Sequence, residues 1–222
     1  MTKRPWRSKG KQYNKVHPVM TPGACVSLDQ LEYPTPGFIA QLKEGQTKHR
    51  YRSATIFVDH ASRLSYFHLQ KMLTSAETVE SKQAFESYAR NQSVTVQYYH
   101  TYNGKFVDNA FIQSVVDIGQ TISYCGVNAH FQNEISEKRI RDLQEQDRKQ
   151  LLHAKSRWPL AIKINLWTYA LQKAKNLHNS LPDREDGSYP IERFGRVPVA
   201  PRIAHNHTFV CPIYDLTARM QG

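Results

Sequence analysis

Apolar and polar residues alternate with a period of two over residues 24–31. Val26 and Leu28 fall between Cys25, Ser27 and Asp29, which predicts a half-buried strand. A long excursion over residues 32–52 follows, opening with Pro34, Pro36 and Gly37 and becoming basic at Lys48, His49, Arg50 and Arg52. Residues 54–58 and 64–69 are apolar and rich in β-formers. The short polar stretch 59–63 joins them, so they predict a hairpin. At residue 74 the period changes to that of a helix. Thr74 with Glu77 three residues on predicts a capping box, and Val79, Phe85, Tyr88 and Ala89 give the helix an apolar side. Residues 94–99 read as a fourth strand ending at the Asn103-Gly104 turn signal. A short helix over 108–118 and a short strand over 121–124 follow. A long helix is predicted from Asn133 to about Lys155, burying Ile135, Ile140, Leu143, Leu151 and Ala154. Pro159 is expected to open a further helix reaching about Asn179. The Pro-containing tail carries one more strand signal at 208–214.

This order (three strands, helix, strand, helix, strand, two helices) predicts an α/β fold with a mixed five-stranded sheet flanked by helices. Residues 1–22 are expected to be a basic extended arm, 23–181 the core, and 182–222 a C-terminal extension. Composition then narrows the partners. The 222 residues carry a formal charge of +11, from 30 Lys and Arg against 19 Asp and Glu, which points to a polyanion such as nucleic acid. No apolar run approaches the roughly 18 residues of a membrane span, and the basic start lacks the apolar segment of a secretory signal. Cys25, Cys125 and Cys211 are too few and too scattered for a disulfide framework or a four-Cys zinc site, which points to a reducing compartment. His205, His207 and Cys211 have irregular spacing for zinc and read as an ordinary polar loop.

Three positions bear on catalysis together: Asp29 on the first strand, Tyr102 just after the fourth, and Glu137 in the first turns of the long helix. Two-metal phosphoryl transfer needs carboxylates from separate elements converging on divalent ions roughly 4 Å apart. Taken alone, Asp29 reads as a turn or solvated acid and Glu137 as a helix-dipole partner.

The combination of motifs resembles the integrase core of copia-type retrotransposons, within the retroviral-integrase-like, ribonuclease-H-like group. The resemblance rests on Val26-Ser27-Leu28-Asp29-Gln30-Leu31-Glu32, Phe57-Val58-Asp59-His60-Ala61-Ser62-Arg63, Asn103-Gly104 and Asn109-Ala110-Phe111. Its most specific stretch runs from Gly126-Val127-Asn128-Ala129-His130-Phe131-Gln132-Asn133 through Glu137 to Arg141. Leu151-Leu152-His153-Ala154, Trp158-Pro159, Asn165-Leu166-Trp167 and the tail to Tyr214 complete it. It implies a ribonuclease-H-like core that integrates DNA by metal-dependent 3′-end processing and strand transfer. Asp29 and Glu137 would be the catalytic and metal-binding residues on Mg²⁺ or Mn²⁺.

The second Asp of the implied triad falls on Tyr102. Asp108 lies where the resemblance places a helix start, and Asp59 where it places a turn. A phenol with a pKa near 10 is a poor Mg²⁺ ligand. Losing one metal's role costs several kcal/mol, so the resemblance implies a copy slowed by about a hundredfold to ten-thousandfold. A non-catalytic nucleic-acid-binding remnant is the alternative. A second departure is Glu134, where the resembling motif has Gly; it reads as a dipole partner. Lys138, Arg141, Gln144, Arg148 and Lys149 follow Glu137, with Arg141, Gln144 and Arg148 on its helical face. The resemblance makes them DNA contacts; by themselves they read as a solvated helix with Glu145 and Asp147 as partners. It further implies homo-oligomers on DNA, no membrane, and residence in the nucleus or in a retroelement particle before nuclear entry. The upstream zinc module of such integrases is not seen, so the chain is expected to be a core cut from a polyprotein.

Overall fold

The computed structural model describes residues 21–40, 47–125, 133–183, 186–198 and 206–211. The arm over 1–20, the motif residues 126–132, His205 and residues 212–214 lie outside them. Five strands, β1 (Val26–Gly37), β2 (Tyr51–Asp59), β3 (Ser65–Gln70), β4 (Tyr98–Thr101) and β5 (Thr121–Tyr124), form one sheet in the order β3-β2-β1-β4-β5. The first three strands are an antiparallel meander, while β4 and β5 run parallel to β1. The parallel pairings need crossovers, supplied by α1 (Ser75–Asn91) before β4 and α2 (Asn109–Val116) before β5. Three helices follow: α3 (Glu134–Arg157), α4 (Trp167–Asn179) and α5 (Pro190–Gly195).

The period-two alternation sorts each strand's side chains between two cores. Val26 and Leu28 pack with Phe57, Phe85, Tyr99, Phe111 and Val115 on the α1–α2 face. Leu31 joins Ala54, Ile56, Val58, Leu143, Leu151, Trp167 and Leu171 on the α3–α4 face. Asp29 shares the parity of Leu31 and therefore faces α3.

Local chemistry sets the boundaries. Thr74 accepts from the Glu77 amide at 3.3 Å, as the capping box requires. The Glu77 carboxylate reaches further back than that motif predicts, accepting from the Lys71 and Met72 amides at 2.7 and 3.2 Å. Asp108 caps α2 by accepting from the Ala110 amide at 2.9 Å. Asp59 is fully buried and closes the β2–β3 turn, accepting from the Gly23 amide and from both donors of Ser62.

Several expectations shift. The first strand runs on through Gly37, where an excursion was expected. Its pairing with β2 breaks between Glu32 and Gly37, so Pro34 and Pro36 fall where no ladder hydrogen bond is lost. The fourth strand begins at Tyr98; just before it the Gln97 amide donates to Gly23 O at 2.8 Å and the Gln97 carbonyl accepts from the Thr121 amide at 3.1 Å. Pro159 opens a single turn in place of a helix. The Trp158 carbonyl takes both the Ala161 and Ile162 amides at 3.2 Å, Lys163 is extended, and α4 starts only at Trp167. In the tail, α5 was not anticipated. Thr208 to Cys211 form a turn closed by Cys211 N–H to Thr208 O, with no strand among these described residues.

Asp147 is also not the surface ion-pair partner expected. It is 3% exposed and accepts a hydrogen bond from the Tyr33 hydroxyl. Burial pushes its pKa up to about 6, against the Tyr33 donor and the Arg148 amide, which lower it. A raised carboxyl pKa adds stability that is full below the unfolded value near 3.8 and is lost as pH rises through about 6. Asp147→Asn keeps an acceptor for Tyr33 and removes the charge. It is expected to raise stability at pH 7.5 by about 1–2 kcal/mol and to flatten the pH dependence between 4 and 7. Urea unfolding across that range checks this.

Candidate functional site

Asp29, Tyr102 and Glu137 are brought to one place by three independent devices. Asp29 stands on the central strand, facing α3. The parallel register pairs Ser27 with His100 and Leu28 with Thr101, the last residue of β4, so the chain leaves the sheet at Tyr102 one step along from the partner of Leu28, toward Asp29. The Leu28 carbonyl then anchors both neighbours. It accepts from Thr101 Oγ1 at 3.0 Å and from Asn133 Nδ2 at 3.2 Å. Asn133 is fully buried immediately before α3 and pins the turn that carries Glu137 against the residue next to Asp29.

The electrostatics record this proximity. The Asp29 pKa is pushed up to about 6, first by burial and further by the Glu137 charge, against the Gln30 amide at 2.7 Å. Cys125, at the end of β5, is buried, and burial followed by the charges of Glu137 and Asp29 holds its thiol protonated. Two half-buried carboxylates, one of them raised by the charge of the other, suit a hard divalent cation, which would neutralise both. A second ion would lack its ligand, since Tyr102 offers a phenol. Among the described residues, no group of three His, Cys, Asp and Glu is arranged to hold a metal. Asp29 and Glu137 would therefore supply two carboxylate ligands to one cation and leave a second without its own.

The sheet continues polar beyond Asp29. His60 Nε2 lies 2.7 Å from Ser27 Oγ, and His100 Nδ1 lies 2.7 Å from Ser123 Oγ. Burial, then Arg63 and His100, lowers the His60 pKa to about 4, so this imidazole is neutral at neutral pH. The same-face spacing of Ser27 and Asp29 could have flagged Ser27. His60 and His100 come from other strands and show no local signal.

Of the residues following Glu137, the cations Lys138, Arg141, Arg148 and Lys149 are exposed and the neutral Gln144 is half-buried. Lys149 is held by Glu145 at 2.6 Å, an exposed pair one turn apart. Glu134 is exposed at the first residue of α3, as a dipole partner should be.

Arg139 is turned away from this row. Its Nη1 lies 2.8 Å from His178 Nδ1, and His178 Nε2 lies 3.2 Å from the Arg63 carbonyl. The guanidinium can only donate, so His178 accepts at Nδ1 and donates at Nε2 to Arg63 O. This chain ties the turn after Glu137 to the end of α4 and to the β2–β3 turn. Burial, then Arg139, lowers the His178 pKa to about 4. The clamp is thus complete above about pH 6.5 and is lost as pH falls toward 4. His178→Phe leaves a buried guanidinium without its acceptor and is expected to cost about 1.5–3 kcal/mol at pH 7.5. A lower urea midpoint with an unchanged slope is the result that checks it.

No protein-family model matches the chain, and no curated protein sequence matches it. Solved structures do match. A chain of the simian T-cell lymphotropic virus intasome, in complex with PP2A regulatory subunit B56 gamma, aligns with a TM-score of 0.60 at 14% identity. The alignment covers 90% of this chain and 60% of that one, so this chain spans about three fifths of its length. The HTLV-2 integrase catalytic core domain in complex with magnesium, in its trimeric form, aligns with a TM-score of 0.56 at 18% identity, over 78% of this chain and 97% of that one. The BIV integrase catalytic core domain gives 0.52 at 16% identity, over 78% and 93%. The fold is therefore the ribonuclease-H-like fold of retroviral integrase cores.

Proposed function

We propose that the chain is the integrase core of a copia-type retrotransposon, built for phosphoryl transfer on DNA ends and slowed in this copy by Tyr102. The observation that carries this is the approach of Glu137, at the start of α3, to Asp29 within β1, with Tyr102 directly after the strand paired to β1, on a fold shared with integrase cores. Asp29 and Glu137 would hold Mg²⁺ or Mn²⁺, which when bound neutralises charge on a phosphate and acidifies a bound water. The protein's own part is to fix the two carboxylates through Asn133 and Thr101 and to lay cations along α3. The magnesium in the HTLV-2 core supports the choice of ion. Its trimeric and dimeric forms support assembly of this chain into homo-oligomers on DNA. Among the described residues, no helix is long and apolar enough to cross a membrane. Nuclear residence, or passage through a retroelement particle, follows from the same proposal. Tyr102 favours one second reading, a module that binds DNA without chemistry.

Both readings require DNA binding through α3. Duplex affinity is expected to fall steeply with salt and to vary little with sequence. Arg141→Ala with Arg148→Ala should reduce the slope of log affinity against log salt by about two. Fluorescence anisotropy on labelled duplexes between 50 and 200 mM salt measures this. An unchanged affinity and slope in the double variant would defeat the assignment.

A further inference from the structure

A pocket of about 450 Å³ lies beyond the carboxylates, between the far end of β1, the middle of α3 and the segment leading to α4. Tyr33, Leu151, Leu152 and Ile164 line it, and its surface is mostly apolar. Leu152 and Ile164 are each 57% exposed, so apolar side chains stand open to water at its mouth. Arg148, Lys155 and Lys163 line it as well and are all exposed. Against these three cations stands one exposed carboxylate, Glu32, because Asp147 is buried on Tyr33. The complementary occupant is an apolar body that carries negative charge. A nucleotide has that form: a base for the apolar floor and a phosphate for the cations.

Position agrees with this. β1 reaches Glu32 three residues after Asp29, about 10 Å at 3.3 Å per residue. α3 reaches Gln144 seven residues after Glu137, also about 10 Å at 1.5 Å per residue. The hydrogen bond from Tyr33 to Asp147 shows that the two elements leave the carboxylates side by side. The near wall of the pocket is thus about 10 Å from the metal ligands, roughly three nucleotides along a stacked strand at about 3.4 Å each and fewer along an extended one. A base inside a duplex cannot enter, because its apolar faces are stacked and its edge is paired.

We propose that this pocket seats the base of an unpaired nucleotide, two to four positions from the phosphate held at Asp29 and Glu137. The proposal rests on the DNA reading above and adds a preference for single-stranded ends. The test uses the full chain and labelled duplexes with a six-nucleotide overhang, each carrying one abasic site at successive overhang positions. Anisotropy is measured for the unmodified chain, Leu152→Glu and Ile164→Glu, with circular dichroism to verify folding. An abasic site at one or two adjacent positions is expected to weaken binding about tenfold. Either variant should abolish that position dependence and bring the overhang-to-blunt affinity ratio toward one. A flat abasic scan, or a positional loss that persists in both variants, overturns the pocket assignment. Salt-dependent binding to blunt duplex together with a flat scan would overturn it alone. No binding to either DNA would defeat the functional reading as well.

Discussion

Lys82→Met is expected to destabilise the fold by about 3–5 kcal/mol, the cost of breaking a buried ion pair from one side. Lys82 is 1% exposed on α1. Its Nζ donates to the Ser114 carbonyl and to Glu86 Oε1, each at 2.9 Å, and lies 5.8 Å from the centre of the Tyr99 ring. Glu86 Oε1 also accepts from the Tyr99 hydroxyl at 2.9 Å and from Gln120 Nε2 at 2.8 Å. Burial, then Glu86, holds the Tyr99 pKa well above its usual value, so the phenol remains a donor. The network therefore joins α1, α2, β4 and the approach to β5 beneath the apolar core. With Met at 82, the Glu86 charge keeps two neutral donors and loses its only cation among the described residues, while Ser114 O loses a partner. Lys82→Met with Glu86→Leu removes the stranded charge and should recover about half the loss. Urea unfolding followed by circular dichroism reads both variants. A single variant within 1 kcal/mol of the unmodified chain would show that the pair contributes no net stability.

That network marks a limit of sequence reasoning. A Lys within an amphipathic helix normally lies in solvent, and its burial here depends on a carbonyl 32 residues away. The Arg139–His178 clamp and the His60–Ser27 contact are hidden for the same reason, since each pairs residues at least 33 apart. What the sequence made legible is what local rules govern. Alternation placed Asp29 opposite Leu28 on β1, cap chemistry gave Thr74 its role, and the long apolar stripe gave α3. The errors also have local causes. Pro34 and Pro36 read as the end of a strand because a ladder break cannot be seen in one strand alone. Pro159 suits the start of a helix and the start of a tight turn equally well, and the extended backbone at Lys163 decides for the turn. For the site, the three positions were legible as residues through their resemblance to a family pattern. Their convergence depended on the β1–β4 register and on Asn133.

Tyr102→Asp is expected to create metal-dependent strand-transfer activity at least a hundredfold, and up to about ten-thousandfold, above that of the unmodified chain. The position tolerates the change, because Tyr102 is 36% exposed and its removal opens no deep cavity. The new carboxylate would adjoin Asp29, whose pKa already stands at about 6 through burial and the Glu137 charge. Without metal, a third negative charge there should therefore destabilise the fold. With Mg²⁺ or Mn²⁺ the same charge becomes a ligand, and the ion's preference for the folded state should restore the loss. The two effects are measured separately: thermal unfolding with and without 5–10 mM Mg²⁺, and strand transfer of a labelled DNA end. A metal-induced stabilisation larger in the variant than in the unmodified chain locates the ion at this site, whatever the activity. Asparagine at 102 has nearly the size of Asp without its charge, so it should give neither the apo destabilisation nor the full activity. Robust strand transfer by the unmodified chain, or a Tyr102→Asp variant no more responsive to metal than it, would overturn the view that Tyr102 is what limits this site.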